Sequence, residues 1–353
     1  MSRTPAGNLR TLRASDLDLE LELPSATPRA VALFVPGLFA TSHFFRVDAV
    51  AGRSIARILR EDRHFIVAHY DPRGLGRNRA RRHGHIDFAA RVADLRAAVA
   101  AVSSAHAGLP LFLLGHSFGG TTIYALLGLG VASVRGVITV GSPARLVPRR
   151  PPWEKLFTPA TAQLVEQVAR EDWVDLAAFS FVQNRIYSGS GNWRSLSLGA
   201  VRCLLRATAH CRVAAALGAR SGMLASMVFR TGPRAEDRDF TGRDLQALLR
   251  ARALERESAP LLQQLLAWGQ RGGAIALPQG PSLAAISTRV TIPTLVAFSP
   301  ADDMVRPEEV CAFDGPAVAT IEVGRCGHGG FFFKPGPRDV LLANIESFLD
   351  DHA

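Results

Sequence analysis

The sequence predicts an α/β fold, in which helices cover both faces of a mostly parallel sheet. Between residues 29 and 145, apolar runs that end in proline or glycine alternate with segments of helical periodicity. Continuous apolar runs are typical of strands that are buried on both faces of a parallel sheet. Strand character stops near residue 145 and resumes at 288–300, so we expect one sheet whose chain is interrupted by an insertion.

The first part of the chain supplies most of the predicted elements. Leucines alternate with acidic residues over 17–23, which predicts a half-exposed strand. The elements expected after it are a strand at 29–39, a helix near 50–60, a strand at 65–71, a helix at 87–104, a strand at 109–115, a helix at 121–130 and a strand at 134–143.

The insertion is expected to be helical. The Arg- and Pro-rich stretch RLVPRRPPWEK (145–155) is a boundary, and residues 153–270 have helical periodicity without an obvious strand. The remaining predicted elements are strands at 288–300 and 317–324 and an amphipathic helix at 338–350. The resulting division is a core of residues 15–148 and 285–353 and an inserted helical unit of residues 149–284.

Composition and charge argue against several classes of protein. The chain has 353 residues, 48% of them hydrophobic, and a net charge of +10 that is carried almost entirely by arginine. No DNA or RNA recognition motif accompanies these arginines, and aromatic residues are not interleaved with them, so no nucleic-acid partner is expected. The four cysteines form no CxxC pair, and neither a metal site nor an organic cofactor is expected.

Targeting signals are also weak. The residues MSRTPAGNLRTLRASDLDLE at the start lack the apolar core of a secretory signal. The most apolar window, 111–134, is broken by glycines and by a polar HSFGGTT stretch, which favours a strand, a turn and a helix over a transmembrane segment. We therefore expect a cytoplasmic protein, with peripheral contact to a membrane and the oligomeric state left open.

One serine lies between glycines at the end of a predicted buried strand. The stretch Gly115-His116-Ser117-Phe118-Gly119 has the pattern G-x-S-x-G between a strand and a helix, the context in which this pattern holds a nucleophile. Glycines at the two outer positions allow a sharp turn, because side chains there would collide with neighbouring backbone. We predict that Ser117 is a nucleophile and that the Phe118 amide, at the helix start, donates to a developing oxyanion.

A serine hydroxyl needs a base to become a nucleophile, and His328 is the best placed of the ten histidines. It follows the last predicted strand, and Gly327 and Gly329 leave its ring open on a loop. The base in turn needs a carboxylate that fixes its tautomer. The loop after the strand at 288–300 offers two, Asp302 and Asp303.

These motifs resemble those of the α/β-hydrolase fold. Besides GHSFG and GHGGF, the stretch DPRGLG (71–76) is similar to a D-x-R-G-x-G turn of that family. The resemblance covers roughly residues 15–145 and 285–350. It implies that the inserted helical unit is a cap, and the chain order Ser, Asp, His is the order of the catalytic triad in this fold.

The resemblance also bears on which carboxylate is the acid. In that family the acid usually stands three residues after a glycine and four before a proline. Asp303 stands four residues before Pro307, although Pro300 occupies the glycine position. Asp303 is therefore the favoured acid of the triad, with Asp302 as the alternative.

The turn at the end of the apolar run 29–39 is the implied site of the second oxyanion donor. The family commonly has His-Gly there, whereas this chain has Pro36-Gly37-Leu38. A backbone donor does not depend on a histidine side chain, so the resemblance implies that the Leu38 amide completes the oxyanion hole, with Phe39 as the alternative.

Apolar residues surround the expected mouth of the site, and Phe39 and Phe44 are the predicted substrate-binding residues. Such a surround favours an acyl or other apolar substrate over a sugar or a peptide. The arginine-rich loop from Arg73 to Arg82 is either a solvated basic loop or an anion-binding rim, and the sequence leaves both interpretations open.

The function predicted from these residues is serine hydrolysis of a small-molecule carboxylic ester through an acyl-enzyme. The same triad also suits an acyltransferase, or a hydrolase of amide or carbon–carbon bonds. A non-catalytic binding protein with this fold is a further alternative.

Overall fold

The computed structural model describes residues 9–80, 85–147, 172–175, 242–278, 280–302 and 304–353, together with residues 162, 165, 166 and 169. Within these ranges the strands are β1 (Leu9–Ala14), β2 (Leu17–Glu22), β3 (Ala30–Val35), β4 (Phe65–His69), β5 (Leu111–His116), β6 (Gly136–Val140), β7 (Trp173–Asp175), β8 (Arg256–Ser258), β9 (Thr294–Phe298) and β10 (Val318–Glu322).

Eight of these strands form one sheet with the order β1-β2-β4-β3-β5-β6-β9-β10. The pairs from β4 to β10 are parallel, whereas β1 pairs antiparallel with β2, and β2 antiparallel with β4. The mostly parallel sheet predicted from the sequence is therefore confirmed. The carboxyl ends of β3, β5, β6 and β9 meet at one edge, which is where ligands bind in open α/β sheets.

The helices of the described ranges are α1 (Asp48–Ala51), α2 (Ile55–Glu61), α3 (Phe88–Ala105), α4 (Phe118–Gly128), α5 (Gly242–Arg250), α6 (Ala259–Gln270), α7 (Leu283–Ser287), α8 (Pro307–Val310), α9 (Gly330–Phe333) and α10 (Pro337–His352). The longest follows a clear start signal. Asp87 caps α3, since its Oδ1 accepts a hydrogen bond from the Ala90 amide at 2.9 Å.

The helices lie on both faces of the sheet. One core cluster joins the sheet to α3, α4 and α7, and a second joins the opposite face to α2, α9 and α10. All six residues of β3 are buried and point alternately into the two clusters. This two-sided burial explains why β3 has a continuous apolar sequence rather than an alternating one.

The described part of the inserted unit contains α5, α6 and a small antiparallel sheet of β7 and β8. The sequence predicted no strand here, and the structure corrects that prediction, because strands of three residues are too short to produce a readable alternation. The helical stretches predicted within 176–241 lie outside the described residues. The domain boundaries at 149 and 284 remain a prediction.

None of the helices in the described ranges combines the length and apolar character needed to cross a membrane.

Candidate active site

Ser117 lies on a sharp turn between β5 and α4. Its backbone has φ 55° and ψ −130°, a conformation that non-glycine residues rarely adopt. A Cβ atom on Gly115 would lie 2.6 Å from the Gly120 nitrogen, and one on Gly119 would lie 2.1 Å from the Val35 carbonyl oxygen. Both obstacles are backbone atoms, so only glycine fits at these two positions, as the sequence pattern predicted.

His328 is within hydrogen-bonding distance of the serine. It lies on the loop between β10 and α9, and its Nε2 is 2.7 Å from Ser117 Oγ. The sequence predicted this pair from residues far apart along the chain, and the parallel sheet brings them together at one edge.

The partner of the other imidazole nitrogen is Asp302. Its Oδ2 lies 2.8 Å from His328 Nδ1, and the two side chains are only 1% and 6% exposed. Asp302 Oδ1 accepts the amides of Met304 and Val305 at 2.9 and 3.0 Å, which holds the carboxylate in one orientation. Asp303, the acid favoured by the sequence, lies outside the described residues, and the geometry favours the alternative, Asp302.

These contacts set the protonation pattern of the site. With Asp302 accepting from His328 Nδ1–H, the lone pair of the imidazole is on Nε2, where it can accept the Ser117 hydroxyl proton. The arrangement can therefore perform nucleophilic catalysis with a general base.

His116 supports the same histidine from behind. Its Nε2–H donates to the backbone carbonyl of His328 at 2.8 Å, and its ring stacks on Phe44 with centroids 5.0 Å apart and 8° between planes. Burial and the neighbouring His328 lower the pKa of His116 well below its usual range, so the ring stays neutral. Sequence reasoning assigned His116 only to the turn, because nothing in the pattern shows that its ring reaches the loop of the base.

The turn after β3 passes directly over the serine. A Cβ atom on Gly37 would lie 2.8 Å from Ser117 Cβ and 3.3 Å from its Oγ. The next residue, Leu38, is one predicted oxyanion donor, and Phe118 at the start of α4 is the other. Within the described ranges, neither amide donates a hydrogen bond to another protein group. Both remain predicted donors.

The alternative donor, Phe39, is corrected by the structure. Its amide is already bonded to Glu257 Oε2 at 3.1 Å, and it cannot donate to an oxyanion while that bond exists. Sequence reasoning missed Glu257, which lies in β8 of the inserted unit and is completely buried.

The two predicted substrate-binding residues are core residues in this structure. Phe44 is 2% exposed and lies among His116, Phe332 and Phe333, while Phe39 is 6% exposed and packs against the inserted unit. Sequence hydrophobicity could not separate a pocket wall from a core, since both are apolar. Both stay predictions as substrate contacts.

The described arginines of the arginine-rich loop are paired with neighbouring carboxylates. Arg73 pairs with Asp94, Arg77 with Glu20, and Arg79 with Glu255. Arg81 and Arg82 lie outside the described residues. Over residues 73–79, these ion pairs favour the interpretation of a structural basic loop over that of an anion-binding rim.

The Arg73–Arg79 part of the loop is further held by the inserted unit. Arg256 donates to the Gly74 carbonyl at 3.0 Å and lies over the Trp173 ring.

Within the described residues, no group of three or more His, Cys, Asp or Glu side chains is arranged to bind a metal ion.

A comparison with known protein families shows which family the chain belongs to. A family model described as serine aminopeptidase, S33 (Hydrolase_4) matches residues 26–216, more than half of the chain. The chain belongs to this family of α/β hydrolases. The matched region of the hydrolase includes Ser117 and ends before Asp302 and His328. The protein is thus an enzyme of the α/β serine-hydrolase class.

Solved structures share the fold of the hydrolase at low sequence identity. Rv0554 from Mycobacterium tuberculosis matches with a TM-score of 0.58 and 14% identity, over 98% of this chain and 99% of that one. A monoacylglycerol lipase from Paleococcus ferrophilus matches at 0.55 and 14%, over 96% and 100%. A thermophilic esterase from Thermogutta terrifontis matches at 0.54 and 17%, over 98% and 99%. No curated protein matches the hydrolase in sequence.

Proposed function

We propose that the hydrolase cleaves carboxylic esters through an acyl-enzyme, with Ser117 as nucleophile, His328 as general base and acid, and Asp302 as the group that orients His328. The observation that carries this proposal is the unbroken pair of hydrogen bonds from Ser117 Oγ to His328 Nε2 and from His328 Nδ1 to Asp302. We choose Asp302 over Asp303 on this contact alone.

The first half-reaction forms the acyl-enzyme. Ser117 Oγ attacks the ester carbonyl while its proton passes to His328 Nε2, and the carbonyl oxygen becomes an oxyanion. When the tetrahedral intermediate collapses, the carbon–oxygen bond to the alcohol breaks and His328 gives the proton to the leaving alcohol. Asp302 stabilises the imidazolium that exists between these two transfers.

The second half-reaction returns the serine. Water attacks the acyl carbon, His328 takes the water proton, and collapse releases the carboxylic acid as Ser117 recovers its proton. We assign the amides of Leu38 and Phe118 as donors to the oxyanion in both halves. Each such donor stabilises the transition state by about 3 kcal/mol.

Esters are proposed as substrates over amides for two reasons. The apolar composition around the site suits an acyl chain, and two of the structural neighbours are named as an esterase and a monoacylglycerol lipase. The family description names a serine aminopeptidase, which makes amide cleavage the second candidate.

A panel of p-nitrophenyl esters of increasing acyl length, run beside aminoacyl p-nitroanilides, tests the proposal. We expect turnover of at least one ester, faster than that of any anilide, and its loss in Ser117→Ala. Turnover of anilides alone would favour amide cleavage, and failure of every substrate would favour a binding protein. Product analysis with added alcohol or thiol acceptors separates hydrolysis from acyl transfer.

A further inference from the structure

The amide of Phe39 is held by a carboxylate from a distant part of the chain. Glu257 Oε2 accepts it at 3.1 Å, and Glu257 itself is completely buried. Phe39 has φ 58°, a left-handed conformation that is unfavourable for a side chain of this size. Some interaction must therefore hold the turn in this shape, and the Glu257 carboxylate makes the contact to its amide.

The neighbouring residues of the turn are paired with the same segment. The Phe39 carbonyl accepts the Glu255 amide at 2.7 Å, and the Thr41 amide donates to the Ala253 carbonyl at 3.0 Å. Ala40 and Leu254 form an antiparallel bridge between them. The turn after β3 is thus hydrogen-bonded, in a short antiparallel ladder, to residues 253–255, which lead into β8.

The charge of Glu257 is balanced from the core. Arg91 of α3, only 3% exposed, donates to Glu257 Oε1, and the Ser258 amide donates to the same oxygen at 2.7 Å. A buried carboxylate whose two oxygens both accept hydrogen bonds in this way has a fixed direction. The strong acceptor on the Phe39 amide is therefore anchored in α3 as well as in β8.

The consequence concerns the residue just before Phe39. Gly37 lies against Ser117, and the Leu38 amide is the proposed oxyanion donor of this turn. Fixing the next peptide plane at Phe39 fixes the direction in which the turn presents Leu38. It also removes the Phe39 amide from competition for the oxyanion.

We infer that Glu257 is a positioning residue for the oxyanion hole, and that β8 of the inserted unit sets the catalytic competence of the turn after β3. This inference rests on the proposed ester hydrolysis. It predicts that the carboxylate affects transition-state stabilisation while leaving ground-state binding of the substrate nearly unchanged.

The test compares Glu257→Gln with Asp94→Asn, using the whole chain and the best p-nitrophenyl ester. Asp94 is a matched control, because it is a buried carboxylate on α3 whose ion-pair partner is Arg73, on a different loop from the turn after β3. In Glu257→Gln, an NH₂ group replaces one of the two carboxylate oxygens. That NH₂ group would face one of the N–H groups that now donate to the carboxylate, so one hydrogen bond would be lost. Arg91→Gln/Glu257→Gln is the second variant, since removing both charges avoids an unpaired buried arginine if the single variant does not fold.

We expect Glu257→Gln, or the double variant, to lower kcat about 10- to 100-fold with KM changed less than about threefold. The inhibition constant of a trifluoromethyl ketone, which forms an oxyanion on the serine, should rise by a similar factor. The pH profile of kcat/KM should keep its shape, since Asp302 and His328 are untouched.

Two outcomes overturn the inference: a folded Glu257→Gln or double variant with kcat within about twofold of wild type, or an equal loss of kcat in Asp94→Asn at matched thermal stability. The wild-type enzyme in the same assay tests the proposed function separately. If the wild type turns over the ester and the variants do so equally well, only the role of Glu257 is refuted. If the wild type is inactive, the result counts against both the proposed ester hydrolysis and the role of Glu257.

Discussion

At the scale of the residue, the site depends on side chains whose positions are fixed by a constrained backbone. Ser117 is in an unfavourable conformation, and the glycines around it are required by backbone atoms less than 3 Å from where a Cβ would stand. His328 is held at three points: its two ring nitrogens and its carbonyl, the last by His116.

The choice between two adjacent aspartates is the sharpest prediction at this scale. We expect Asp302→Asn to lower kcat about 10³- to 10⁴-fold, because an asparagine in its place no longer fixes the reactive tautomer of His328. Asp303→Asn is the matched control and should retain kcat within about threefold. Steady-state kinetics with one ester decides between them, and the reverse ranking would return the role to Asp303.

Sequence patterns mark Ser117 and His328 directly but leave open which of two adjacent aspartates is the acid. The serine and the histidine are marked by flanking glycines whose purpose is geometric. No sequence pattern separates Asp302 from Asp303, because the direction of the Asp302 side chain depends on the loop amides of residues 304 and 305. The sequence could not indicate a role for Glu257 for a similar reason, since its proposed role follows from a contact with the distant Phe39.

At the scale of the element, the neighbouring strands β2 and β4 carry a buried ionic group. Glu22 of β2 is bonded to Arg60 of α2 and to His69 Nε2 of β4, and Arg46 also contacts it. Burial alone would raise the pKa of Glu22, but the hydrogen bond from His69 and the two arginine charges outweigh it and lower the pKa to about 2. Burial, aided by the charge of Arg46, lowers the pKa of His69 to about 4.

Both shifts predict a loss of stability in acid. A histidine whose pKa is lower in the folded state contributes its full stability above pH 6.5, and this contribution is lost progressively as the pH falls from 6.5 through about 4. For Glu22 the corresponding window runs from pH 4.5 down to about 2. We expect the free energy of unfolding to fall by about 2 kcal/mol between pH 7 and pH 5 through His69.

Urea unfolding at the two pH values measures this loss, with His69→Gln as the comparison. Glutamine can still donate to Glu22 but takes up no proton, so the variant should show a smaller difference between pH 7 and pH 5. An equal difference in both proteins would assign the acid sensitivity to other groups.

Sequence patterns predicted the buried strands better than the exposed ones. The apolar runs gave β3, β4, β5 and β6 because burial on both faces leaves a continuous signal. β1 was missed, since its LRTLRA sequence is mostly exposed and its pairing with β2 is set by their shared hairpin. Element ends were less well predicted, because turns such as that after Val35 contain apolar residues too.

At the scale of the whole molecule, the sheet is continuous across the insertion. β6 and β9 are parallel hydrogen-bonded neighbours, although residues 141–293 separate them in the chain. We propose that residues 149–284 form a cap over the site. Its described part contacts the turn after β3 and the arginine-rich loop, both at the edge of the sheet where Ser117 lies. In this arrangement the cap would help to build the oxyanion hole as well as cover it.

The net charge of +10 is also a property of the whole chain. Several arginines of the described core are paired with carboxylates, including Arg73, Arg79 and Arg91. Their role in this structure is therefore to hold loops and the inserted unit against the sheet. Composition alone could not show this, because it counts charges without their partners.

The proposed chemistry depends on Ser117 being a nucleophile that is activated by His328. The most direct measurement is covalent labelling by a fluorophosphonate probe, followed by peptide mapping of the modified residue. We predict one label for each chain, located on Ser117, and its loss in both Ser117→Ala and His328→Ala. Labelling that persists in Ser117→Ala, or that maps to another residue of the wild-type enzyme, would contradict the role of Ser117 as the nucleophile.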